Sequence, residues 1–60
     1  MASNETFLAY YVDDEDKIHD SPAYATYASA KRWIERMRRT ITAQDWRILN
    51  VSSGREYWFD

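Results

Sequence analysis

Thr26-Tyr27-Ala28-Ser29-Ala30-Lys31-Arg32-Trp33-Ile34-Glu35-Arg36-Met37-Arg38-Arg39-Thr40-Ile41 is the stretch on which the fold turns. Within it Tyr27, Ala30, Ile34, Met37 and Ile41 recur at alternating spacings of three and four, which lines them up as one apolar stripe on an α-helix. Trp33 flanks the stripe, and Lys31, Arg32, Glu35, Arg36, Arg38 and Arg39 fill the remaining surface. Thr26 is suited to cap the start, its hydroxyl accepting from the Ser29 N–H. Arg38 and Arg39 suit the negative end of the helix dipole, and the β-branched run Thr40-Ile41-Thr42 weakens helix beyond it. A helix over 27–40 is expected.

Strands are expected on either side. Thr6 to Val12 is rich in aromatic and β-branched residues and bounded by polar clusters. Both of its alternating faces are apolar, Phe7, Ala9 and Tyr11 on one and Leu8, Tyr10 and Val12 on the other. Such a strand is either central or carries an aromatic face that binds something. Asp13-Asp14-Glu15-Asp16-Lys17 is a turn, read as exposed and flexible, leading into a short returning strand at Lys17–Asp20. Ser21-Pro22 interrupts that strand, since proline lacks the N–H of a ladder, and residues 23–25 resume it.

After the helix, residues 44–51 alternate, with Trp46 and Ile48 on one face and Arg47, Leu49 and Val51 on the other. Ser52-Ser53-Gly54-Arg55 makes a hairpin connection with the one glycine where a positive φ is needed. Glu56 to Phe59 is a last strand. The expected fold class is α+β: a small antiparallel sheet of three to four strands in ββαββ order, with one amphipathic helix packed on a face. Ile34 and Met37 are expected to meet Phe7, Tyr11, Ile48 or Leu49.

Sixty residues make one small domain, 1–60, with a frayed N-terminus at 1–5. A chain this short buries only about 60% of its unfolded surface. Its ten aromatic residues supply large buried area per side chain. They cannot all fit inside, so Tyr10, Tyr24, Tyr57 and one Trp are expected to lie partly exposed. There is no cysteine and one histidine, which excludes disulfides and a structural zinc site. No cofactor is expected. The N-terminus lacks the basic and apolar regions of a targeting segment, and no stretch is long enough to span a bilayer. A cytoplasmic protein is expected, consistent with the lack of cysteine.

The net charge of −2 hides an asymmetry. Residues 1–26 carry six carboxylates against Lys17, and residues 27–60 carry seven Lys and Arg against four carboxylates. The halves either match each other within the molecule or form two separate patches for a partner.

His19 among Asp13, Asp14, Glu15, Asp16 and Asp20 could serve acid–base chemistry, but catalysis also needs a pocket that excludes water. The chain is therefore expected not to be an enzyme. The acidic run also fails as a calcium loop. Counted from Asp13, its sixth residue is Ile18 rather than Gly and its twelfth is Tyr24 rather than Glu.

The layout Thr26-x-x-x-Ala30-Lys31-x-Trp33-Ile34 resembles the strand-to-helix junction of short sheet-plus-helix proteins, including phage-encoded ones. Size and element order are similar to small phage proteins that inhibit host enzymes or defence systems. That resemblance implies an inhibitor or modulator of a host protein complex, acting in the host cytoplasm.

Surplus Trp, Tyr and Arg, the types that dominate interface hot spots, point to the same class. The expected function is a non-enzymatic protein-binding module, with a homodimer as another outcome. Its contacts are expected among the acidic turn (Asp13, Asp14, Glu15, Asp16), the basic helix face (Arg32, Arg36, Arg39) and the aromatic terminal strand (Trp58). The alternative is a nucleic-acid-binding domain that grips phosphates through Lys31, Arg32, Arg36, Arg39 and Arg47, with Trp33, Trp46 and Trp58 interleaved for stacking.

Overall fold

A computed structural model describes residues 5–59. The chain runs β1 (Phe7–Val12), β2 (Ile18–Asp20), α1 (Tyr27–Met37), β3 (Asp45–Asn50) and β4 (Arg55–Phe59). The strands form one antiparallel sheet in the order β2-β1-β3-β4, with α1 packed on one face, so the expected α+β architecture is what the chain adopts. The expected fraying falls partly on residues 1–4, outside the described residues. Glu5 accepts a hydrogen bond from Asn50 Nδ2 at 3.1 Å.

Register decides what each face carries. Phe7, Ala9 and Tyr11 stand opposite Asn50, Ile48 and Trp46, and all six are buried beneath the helix. Leu8, Tyr10 and Val12 stand opposite Leu49, Arg47 and Asp45 on the other face, where they are half-buried. Ala30, Trp33 and Ile34 are the buried residues of α1. The covered face therefore centres on Trp33 as much as on the stripe it was expected to flank, and Met37 and Tyr27 lie half-buried at its margins. Leu49 is not among the helix's partners, because strand alternation turns it to the opposite face.

The helix starts as expected, with Ser29 N–H donating to Thr26 Oγ1 at 3.2 Å. It ends at Met37, three residues earlier than the pattern predicts. The following turn tightens: Arg39 and Thr40 donate to carbonyls three residues back, at 3.4 and 3.2 Å. β-Branched Thr40 and Ile41 disfavour continuation as helix.

Ser21 repairs the interruption at Pro22. Its N–H donates to the Ala9 carbonyl at 2.7 Å, and its Oγ accepts from the Ala9 N–H at 2.9 Å. The hydroxyl thus stands in for a ladder carbonyl, and pairing resumes where Tyr24 bridges Phe7. Gly54 has φ +80°, as the hairpin requires, and the connection spans residues 51–54, one residue before the expected position.

Rings replace aliphatic bulk in the core. Tyr11 packs against Trp46 at 4.9 Å and Trp33 at 6.1 Å between centroids, and Tyr27 meets Tyr57 edge-on at 5.0 Å.

Candidate functional site

Three surfaces stand out. The acidic turn is the first. Asp13 Oδ1 accepts from the N–H groups of Glu15 and Lys17 at 2.8 and 2.9 Å, and Oδ2 meets His19 Nε2 at 2.7 Å. Its bond to the His19 imidazole, reinforced by the two backbone donors, lowers its pKa to about 2. His19 stacks on Tyr11 at 4.7 Å between ring centroids. Gln44 reaches across from the loop after α1, its Nε2 donating to the Asp13 carbonyl at 2.7 Å and Asp16 Oδ1 at 2.8 Å. The turn is built and tethered rather than flexible. Asp13 is occupied inside it, Glu15 pairs loosely with Lys17 at 3.6 Å, and Asp14 is exposed. Among the described residues no three His, Asp or Glu side chains converge to hold a metal ion.

The outer side of α1 is the second surface. Lys31, Arg32, Glu35 and Arg36 are exposed along it, and Arg39 continues them beyond its end. Among the described residues Lys31, Arg32, Arg36 and Arg39 form no ion pair with the acidic turn or with any other carboxylate. The two charged regions are not matched by ion pairs between them.

The third surface is the sheet face that α1 leaves uncovered. Across its middle run Asp20, Tyr10, Arg47 and Trp58, one from each strand in spatial order. Ile18, Val12 and Asp45 form the row on one side, and Leu8, Leu49 and Glu56 the row on the other. The Arg47 guanidinium holds the centre. Nη2 donates to Asp45 Oδ2 at 3.1 Å, and Nη1 lies 3.7 Å from Glu56 Oε1. The Tyr10 hydroxyl donates to Glu56 Oε2 at 2.7 Å. Burial raises the Tyr10 pKa, and the hydrogen bond to Glu56 adds to the rise. The indole of Trp58 lies 5.2 Å from the guanidinium carbon, within cation–π range, yet Trp58 remains 62% exposed. Arg47 Nε is buried with no partner among the described residues.

This arrangement redraws the expected sites. Trp58 sits on a platform that extends beyond its own strand to Arg47, Tyr10, Glu56 and Asp45. Of these residues, the sequence marks only Trp58 as an expected protein contact. The alternation of Arg47 and Leu49 with Trp46 and Ile48 separates the two faces, and the charged Arg47 marks the one without a helix. Arg47 lies on the opposite side of the sheet from α1, so the phosphate-gripping set does not form one surface. Trp33 and Trp46 are buried and cannot stack on bases.

A groove of about 390 Å3 opens past the end of α1, lined by Ile41, Gln44, Trp46 and Phe59 among others. Its one carboxylate, Asp45, is bonded to Arg47, so it gathers no acid–base pair. No helix among the described residues is long and apolar enough to cross a membrane.

No known protein family, curated protein or solved structure matches this chain.

Proposed function

We propose that this chain is a non-enzymatic protein-binding module whose docking surface is the uncovered face of the sheet. The supporting observation is the pairing of Trp58, mostly in water, with Arg47, held beneath it by two carboxylates and carrying an orphaned Nε. A buried donor without a partner lowers stability, and such departures from local rules concentrate at functional sites. Trp and Arg, here side by side on a face that also carries Leu8, Val12 and Leu49, are also residue types that anchor interfaces. The inhibitor or modulator role, in a phage or mobile-element setting and in a host cytoplasm, rests on resemblance of size and element order alone. A reducing compartment fits a chain without cysteine.

A photo-crosslinking amino acid placed at position 58, and separately at position 32, tests the reading in lysate of the source cells. A protein adduct at 58 and none at 32 is the expected result. An adduct confined to 32, or none at either position, overturns it.

The second reading is nucleic-acid binding through Lys31, Arg32, Arg36 and Arg39, favoured by their freedom from ion pairs. It expects a mobility shift with single-stranded or duplex oligonucleotides that weakens steeply with salt. No shift at low salt removes it.

A further inference from the structure

Resting on the protein-binding reading, we infer that the uncovered sheet face takes a cationic amphipathic helical segment of a partner protein. Three features of the face select that occupant.

The first is charge. The face carries Asp20, Asp45 and Glu56 against the single guanidinium of Arg47, which two of those carboxylates already engage. Asp20 is exposed and has no ion-pair partner among the described residues. An approaching phosphate is repelled. An approaching Lys or Arg meets the carboxylates and the indole of Trp58, whose ring attracts cations.

The second is apolar content. Ile18, 63% exposed, and half-buried Val12, Leu8 and Leu49 flank the polar row on both sides. An occupant must therefore bring apolar side chains as well as positive charge. The outer stripe of α1 from a second copy supplies the charge, but its largest apolar residue is Ala28, so it leaves the flanking rows unfilled. Face-to-face pairing of two copies sets one net negative face against another. The face is also small: four strands and about five residues of length give roughly 14 by 17 Å. A footprint that far below the ~800 Å2 each partner contributes to a stable interface between folded domains suits a short docking segment and not a second folded copy.

The third is backbone. The interior of a sheet face presents side chains and no free ladder, so an extended strand laid on it finds no backbone partners. A helix satisfies its own N–H and C=O groups and offers an apolar stripe. α1, with 11 residues, covers this same sheet from the other side, which sets the length of segment that fits.

The test is selection of binders to the intact protein from a displayed library of random peptides about 15 residues long, about four helical turns. Enriched peptides are expected to carry more Lys and Arg than Asp and Glu, with apolar residues at helical spacing. Their affinity is expected to fall about tenfold or more on Trp58→Ala, as for an interface anchor, and to fall, with a weaker salt dependence, on Asp20→Lys. Neutral or acidic peptides that still depend on Trp58 overturn the cationic occupant and leave the protein-binding reading standing. Peptides indifferent to both substitutions overturn this face as the docking surface. No enrichment overturns both inferences. A dimer in sedimentation equilibrium that Trp58→Ala dissociates would show that the face pairs with itself, contrary to the inference.

Discussion

The two faces of the sheet are built from the same four strands and have opposite fates. Under α1, Phe7, Ala9, Tyr11, Trp46 and Ile48 are closed off by Ala30, Trp33 and Ile34, and the packing is almost entirely hydrocarbon and ring. On the other side, Leu8, Tyr10, Val12, Leu49 and Trp58 surround one guanidinium and its carboxylates, and no element among the described residues covers them. Burial on the first face drives folding. On the second face, charges are held in place at the expense of an unpaired donor, as expected where the surface is kept for another molecule. The comparison separates residues that hold the protein together from residues assigned to binding in the proposed docking role.

Substitutions that treat the faces as equivalent should fail most visibly at the core. Ile34→Ala is expected to cost ~2–5 kcal/mol, enough to abolish a cooperative thermal transition in a domain this small. Leu49→Ala, on the uncovered face, should cost about 1 kcal/mol. Equal melting temperatures for the two variants would break the distinction.

A smaller effect belongs to the turn at the margin of both faces. The Asp13 carboxylate is held near pKa 2 in the folded protein against 3.8 without its partners. A depressed carboxylate stabilises the fold above its unfolded value and loses that contribution as pH falls through the folded one. The gap in urea midpoint between the parent and Asp13→Asn should therefore be full near neutral pH and close between about 3.8 and 2. A gap that persists unchanged at low pH would show that the Asp13 charge is not what organises the turn.

Much of this was legible in the residues. The spacing of Ala30, Ile34 and Met37, the Thr26 cap and the positive φ of Gly54 each follow from local chemistry. The less legible parts depend on through-space pairing. In β1 both alternating faces are apolar, so periodicity cannot say which one the helix takes. Only the register with Asp45 and Arg47 does that. Ser21 serving as a ladder acceptor has no linear signature, because its partner Ala9 lies in another strand. Asp13 looked like one of several equivalent carboxylates, and what distinguishes it is its reach to two backbone donors and His19. The three tryptophans were indistinguishable by type, yet Trp33 and Trp46 are core and Trp58 is surface.

The uncovered face should tolerate loss of its charge centre. Arg47→Met removes the orphaned Nε but leaves the partly exposed Asp45 and Glu56 carboxylates without their cation, so the urea midpoint should fall only slightly, by the little that exposed ion pairs are worth. A large loss of stability would place Arg47 among the residues that hold the fold. The smallest stability change of all is expected at Trp58, and there the central claim is most exposed. Melting temperature and affinity for the tightest selected peptide should be measured side by side for the parent and Trp58→Ala. The claim predicts an almost unchanged melting temperature and an affinity lowered by about tenfold or more. Unchanged affinity, or a variant that no longer folds, would contradict it.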